Sequence, residues 1–383
     1  MPELASSATC SASAEVSPAR DRERVDRYLT AFLAQTGRKY ASNPHVRPLY
    51  EAASEFVVRG GKRLRPRLCL ASYRILQGGS EPPPRPVWLC AASLEILHAF
   101  MLVHDDLIDA SLLRRDRATL HEDLRLRSST PECPTTRKSA ADLALISGDL
   151  LCSLGLRLIA RSGLDDSRLG RVHRLVADMM LETGLGEALD VLYGNCPLDT
   201  LDEEHVVEAY LRKTARYSVS GPLVLGAVLA GAPSSVCRAL DKFGDLLGFG
   251  YQVRNDLEGL EADETSGDHA DLDSGKRTYV LMRAYRASTE RGRRAIEDAL
   301  EAPAGVLRRH RLLALIRNSG AIESSRDTLM NLQREAVEAL RASSIEPAQR
   351  RSFVALMDLF GFPTPPQATP ASVIGEPCPV TVT

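Results

Sequence analysis

From position 25 to position 340, apolar residues recur at three- and four-residue spacing in block after block, and strand-like alternation is hardly visible. The blocks cover 25–33, 87–109, 141–160, 169–185, 205–229, 236–257, 280–287, 296–300 and 329–340. That spacing lines one stripe of a helix with apolar side chains, and a chain built almost wholly of such stripes buries them against one another. The breaks carry helix-ending residues: Gly60-Gly61, the Pro run at 82–84, Gly163 and Cys196-Pro197. With 383 residues and no repeat of fixed period, the pattern predicts a single all-α helical bundle of ten or more helices.

The two ends read differently. Residues 1–21 are rich in Ser, Ala and Pro, without period, and read as a disordered tail that a docking partner would take up. The folded unit is expected over 22–362, followed by a flexible Pro-rich tail over 363–383. Formal net charge is −2, so no global basic surplus draws nucleic acid or anionic lipid, and anion recognition has to be local. The longest unbroken apolar run, 219–233, contains Gly and Pro and falls short of the roughly 20 residues a membrane span needs. It reads as a buried helix, and no transmembrane segment is expected. Eight dispersed cysteines without a CxxC pair, behind an N-terminus lacking a signal peptide's basic start and apolar core, read as reduced thiols of a cytoplasmic protein. Lysine occurs at six positions only, 39, 62, 138, 213, 242 and 276, so a Lys inside a motif carries weight.

The segment 94–121, LEILHAFMLVHDDLIDASLLRRDRATLH, says most about chemistry. Its apolar helix delivers Asp105, Asp106 and Asp109 at its end. Asp105 and Asp109 lie on one face, about one turn apart. Two inward carboxylates repel each other and resist desolvation, and a hard divalent cation removes both penalties. Arg114 and Arg115 follow and suit the fork geometry of phosphate oxygens. A solvated helix end is the plainer reading, and the long apolar stretch behind it argues against that. Upstream, RGGKRLRPR at 59–67 frees the backbone with two glycines and then clusters Lys62, Arg63 and Arg65. It suits a phosphate pocket without being a Walker loop, and a basic helix start on the surface explains it equally well.

The order GGKRLRP, then His98 seven residues before DDLID, then RRDRATLH, a Lys-Thr at 213–214, and YQ before a second acidic patch resembles the trans-isoprenyl diphosphate synthases, or polyprenyl synthetases, from about residue 22 to 360. The resemblance implies the isoprenoid synthase fold, helices around a central cavity, and a homodimer. It implies that Lys62, Arg65 and His98 bind the diphosphate of isopentenyl diphosphate, with Arg115. It implies that Asp105 and Asp109 chelate Mg²⁺ bridging an allylic diphosphate, with Asp106 in support and Arg114 on the same diphosphate. Lys213, Thr214, Gln252 and Lys276 would face the reacting carbon and the leaving group. Glu187 and Asp190, in GEALD, fall where the family has GQxxD.

Departures from the family pattern fall mostly in the second acidic motif. Asn255-Asp256-Leu257-Glu258-Gly259 stands where DDxxD is usual, so Asn255 and Asp256 are the remaining candidate metal ligands there. Asn255, Gly259 and Asp263 also resemble a degenerate metal triad of class I terpene synthases. No Lys lies between Asn255 and Lys276, Asp116 replaces the Gly of RRG, and the stretch 122–140 reads as a long Pro-rich loop. Phe100 and Met101, about one turn before Asp105, would floor the pocket for the growing chain and favour C15 to C20 products. Two other readings stay open: a terpene synthase-like enzyme ionising one allylic diphosphate, and a non-catalytic partner subunit of another synthase.

Overall fold

The computed structural model describes residues 18–79, 82–114, 116–261, 272, 275–303 and 305–362. The tail expectations for 1–17 and 363–383, and the assignments to Arg115 and Asp263, lie outside the described residues. The first helix starts at Pro18, inside the segment read as a tail.

Ten α-helices lead to the middle of the chain: α1 (Pro18–Tyr40), α2 (Arg47–Val58), α3 (Leu64–Leu76), α4 (Arg85–Ile108), α5 (Leu120–Leu126), α6 (Pro134–Ala160), α7 (Asp166–Gly194), α8 (Glu203–Tyr210), α9 (Gly221–Leu229) and α10 (Ser234–Glu261). Five more follow among the described residues: α11 (Tyr279–Ala287), α12 (Glu290–Glu301), α13 (Val306–Asn318), α14 (Ala321–Arg341) and α15 (Pro347–Ala355). The strands among the described residues are two-residue pieces, β1 (Leu113–Arg114) and β2 (Arg117–Ala118), paired antiparallel. The all-α expectation holds. The stretch 122–140 is not one long loop. Its ends are helical, because Pro134 opens α6 at its first turn, where a missing N–H costs nothing.

Helix α4 is the axis. From Val87 to Leu97 it is buried without a break, and it packs along α6, α3 and α1. By length and composition α4 and α6 would each reach across a membrane, yet 72% of the apolar window of α4 is buried, which makes it a core helix. Within α4, Glu95 is an acid in an apolar wall, and it is held at 2.8 Å by Arg63, which also bonds Asp26 at 2.8 Å. Arg63 therefore belongs to the scaffold, and a buried pair of this kind is costly to break from either side.

The expected helix over 205–229 is continuous, but its middle, Leu211–Ser220, is wound as a π-helix between α8 and α9. Wide turns of this kind cluster at functional sites. Glycines let neighbours close on it: a Cβ at Gly248 of α10 would lie 2.5 Å from Cα of Ala215, and one at Gly244 would lie 2.6 Å from Cβ of Ser220. The run 221–229 is buried throughout, as its composition predicts.

Candidate active site

Two polar centres meet at the C-terminal end of α4. In the first, one ammonium gathers three carboxylates. Lys213 Nζ, on the π segment, lies 2.7 Å from Asp190 and 2.9 Å from Glu187 of α7, and 3.3 Å from Asp105 of α4. Lys276, just before α11, reaches Asp190 at 3.3 Å. Arg114 donates from Nε to Asp106 at 2.5 Å and from Nη2 to Asp105 at 2.6 Å. Its hairpin turns at Asp116, whose φ of 60° lies in the left-handed region. That explains why glycine is usual at this position, and an Asp tolerates it at a cost of about 1 kcal/mol.

The protonation states follow from burial and charge. Burial raises Asp106 to about 6 against the pull of Arg114, and it raises Asp109 with help from Asp105. Glu187 is raised chiefly by burial. At Asp190 burial works the same way, but Lys276 and Lys213 outweigh it and lower the pKa. Lys213 shows the converse: burial disfavours its charge, and Asp190, Asp105 and Glu187 more than restore it. With the carboxylates of Asp105, Asp106, Asp109, Glu187 and Asp190 against Arg114, Lys213 and Lys276, negative charge is in excess, the condition under which a hard divalent cation binds. Among the described residues no three such ligands form a closed metal shell. Asp105 and Asp109 fit an open site that a ligand's oxygens would complete.

The second centre is a cavity of about 340 Å³ lined by Lys62, Arg65, His98, Arg114 and Ser218 among others. Gly60 and Gly61, at φ 103° and 135°, give the approach its shape, which a residue with a Cβ would strain. Arg65 donates to Ser218 Oγ at 2.6 Å and its guanidinium lies 4.6 Å from the Tyr217 ring centroid, so it is braced. Lys62 and Arg65 of RGGKRLRPR thus line a cavity. Arg114 belongs to both centres.

Other expected residues spread more widely. Thr214 and Gln252 are half-buried, and Tyr251, beside Gln252, lines the Lys62 cavity. Asn255 is half-buried. Asp256 is buried and accepts hydrogen bonds from Tyr210 Oη at 2.8 Å and Tyr279 N at 3.1 Å. Sequence reasoning missed Arg59 and Arg117 on the cavity wall and the bracing Ser218. Both arginines lie inside the stretches RGGKRLRPR and RRDRATLH, which was the available signal; nothing marked Ser218.

A further acid, Asp245, lies half-buried on α10. Burial raises Asp245 to about 6 from 3.8, although Ser220 Oγ donates to it at 2.7 Å. The folded protein holds this proton more tightly than the unfolded chain, so stability declines as pH rises from about 4 to 6, and the charge is a cost above that. Asp245→Asn is expected to raise stability at pH 7.5 by about 1–2 kcal/mol and to change nothing at pH 4, read from denaturant melts. Arg216 keeps Glu182 at 2.6 Å, so no cation is orphaned.

Comparison with known proteins gives the same direction. A family model described as polyprenyl synthetase matches residues 46–310. The geranylfarnesyl diphosphate synthase of Aeropyrum pernix is 28% identical over 310 residues, covering 78% of this chain and 86% of its own. The geranylgeranyl diphosphate synthase of Saccharolobus solfataricus is 27% identical over 323 residues, covering 79% and 90%. A solved structure, a geranylgeranyl pyrophosphate synthase from Corynebacterium glutamicum complexed with isoprenyl diphosphate and magnesium, aligns with a TM-score of 0.80 at 27% identity, covering 90% of this chain and 99% of that one.

Proposed function

The chain belongs to the polyprenyl synthetase family, and from that premise we propose that it is a short-chain trans-prenyltransferase, condensing isopentenyl diphosphate with an allylic diphosphate to give a C15 to C20 prenyl diphosphate. The observation that carries this is the pair of charged centres, one acidic and one basic, sharing Arg114. A reaction joining two diphosphates needs both; a terpene synthase has no use for the Lys62 cavity, and a non-catalytic subunit has no use for either.

Lys62, Arg65 and His98 hold the diphosphate of isopentenyl diphosphate and set its double bond toward the second centre. Arg114, Lys213 and Lys276 take up charge that develops on the departing diphosphate oxygens, with Arg115 on the neighbouring diphosphate and Thr214 and Gln252 beside the reacting carbon. Asp105 and Asp109 would hold Mg²⁺, with the carbonyl of Asn255 as an uncharged candidate. When bound, Mg²⁺ neutralises the leaving group. The apolar face of α4 keeps water from the allylic cation.

Phe100 lies edge-on to His104, with ring centroids 4.8 Å apart. His104 is braced by α6, with Nε2 3.2 Å from the carbonyl of Leu145. A ring so backed makes a firm floor, with Met101 a softer one beside it. Phe100→Ala is expected to lengthen the main product by at least one isoprene unit, read by chromatography of the dephosphorylated alcohols; unchanged length would remove Phe100 from the floor.

A homodimer is supported by apolar side chains left exposed on α6 (Leu145, Ile146) and α7 (Leu181, Leu192). A sedimentation mass of one chain would overturn it. The cytoplasmic assignment is supported by free thiols at every described cysteine. Incubation with Mg²⁺, isopentenyl diphosphate and dimethylallyl, geranyl or farnesyl diphosphate in turn tests the activity. A discrete longer diphosphate is expected. Consumption of the allylic diphosphate alone, yielding a hydrocarbon or alcohol, would favour the terpene synthase reading.

A further inference from the structure

The second acidic motif holds one carboxylate whose geometry does not suit a metal ligand. Asp256, on α10, is only 5% exposed. Its Oδ2 accepts from the phenol of Tyr210, the last residue of α8, at 2.8 Å. The same oxygen accepts from the backbone N–H of Tyr279 at 3.1 Å, and that N–H also lies 3.2 Å from the Tyr210 oxygen. Tyr279 is the first residue of α11, so the carboxylate sits at the positive end of that helix, next to the Thr278 cap whose Oγ1 accepts from Leu281 N at 3.2 Å. A cation at Oδ2 would have to compete with both of these buried donors, and Oδ1 is buried as well, so neither oxygen faces a ligand arriving from solvent. Asp105 and Asp109 of the first motif are open to the ligand by contrast: one is half-buried and the other exposed.

What Asp256 holds instead leads back to the site. Thr278 N donates to the carbonyl of Lys276 at 2.9 Å, closing a tight turn onto α11. The Lys276 ammonium meets Asp190 at 3.3 Å, and Asp190 also holds Lys213 at 2.7 Å. Three helices remote in sequence, α8, α10 and α11, are thus joined at one oxygen, three residues from a cation of the site.

We propose that Asp256 is a positioning residue and not a metal ligand: it ties the start of α11 to α8 and α10 and so fixes where Lys276 meets Asp190. The role of Lys276 rests on the prenyltransferase reading; the tether does not.

The test compares Asp256→Ala and Tyr210→Phe with the unaltered full-length chain. Three readouts are taken: Mn²⁺ binding in the presence of inorganic diphosphate, amide hydrogen exchange over 279–282, and steady-state kinetics. Both variants are expected to bind Mn²⁺ with unchanged number and with affinity within about twofold, while exchange over 279–282 speeds up about tenfold. Turnover is expected to fall about tenfold with little change in KM for the allylic diphosphate, the signature of a misplaced group acting in the transition state. Loss of one Mn²⁺ equivalent in Asp256→Ala, or unchanged exchange in Tyr210→Phe, would overturn the proposal. Tyr210→Phe keeps every charge, so it decides the matter even where Asp256→Ala does not fold. A chain that forms no prenyl diphosphate at all would sink the functional reading, and Mn²⁺ binding and exchange would then decide the tether alone.

Discussion

Asp105→Ala is expected to lower turnover by about three orders of magnitude or more, with the melting temperature changed by no more than a few degrees. The asymmetry comes from the site's wiring. Asp105 accepts from Arg114 at 2.6 Å and faces Lys213 at 3.3 Å, so its loss removes the carboxylate at which both centres touch. Neither cation is then stranded. Arg114 keeps Asp106 at 2.5 Å, and Lys213 keeps Asp190 and Glu187 at 2.7 and 2.9 Å. The fold therefore has little reason to fail, because a buried charge is costly only when it loses all its partners. Asp109 alone cannot form the paired-carboxylate face that a hard cation needs. Asp105→Asn, which keeps the shape and an acceptor oxygen, is expected to fall between the two. Full activity in Asp105→Ala, measured as prenyl diphosphate formed per enzyme, would overturn the metal assignment and with it the prenyltransferase mechanism.

The parts of this site that were legible in the sequence are those where one residue type is chemically out of place. Aspartates at the end of an apolar helix demand a counter-charge: Arg114 meets Asp105 and Asp106, and Lys213 and Lys276 face Asp109. Lys213 and Lys276 stand out because lysine is scarce, and both reach Asp190. Helix periodicity gave the bundle for the same reason: an apolar stripe has to be buried against another. What was hidden depends on the third dimension. Arg63 and Arg65 look alike in RGGKRLRPR, yet Arg63 is buried and tied to Glu95 and Asp26, while Arg65 is half-buried and held by Ser218. Neighbouring residues on α10 differ by about 100° in direction, so whether Asn255 or Asp256 faces the core is decided by Tyr210 and the start of α11, which spacing does not report. The π winding of 211–220 was illegible for a related reason, since it is set by how closely α7 and α10 approach it.

That close approach makes Gly186→Ala the most informative substitution outside the charged residues. Gly186 precedes Glu187 on α7, one turn before Asp190. A Cβ there would lie 2.7 Å from Cα of Lys213 and 2.8 Å from the carbonyl carbon of Arg212, and would press on Lys213 N as well. These are backbone atoms, so no side chain can swing away, and the two helices have to separate by something near 1 Å. The segment that would move carries Lys213; the one it would move from carries Glu187 and Asp190, now 2.9 and 2.7 Å from its ammonium. Displacement of that size in a reacting constellation costs about a hundredfold in rate, and overpacking costs about 1–3 kcal/mol in stability. Gly184→Ala is the control. A Cβ at Gly184 meets nothing within 4 Å, two residues away on the same helix. It is expected to leave turnover unchanged and to stabilise the protein by up to about 1 kcal/mol, the ordinary gain of alanine over glycine inside a helix. Equal activity in the two variants, by steady-state turnover with isopentenyl and allylic diphosphates, would show that the register between α7 and the π-helix does not set the position of Lys213.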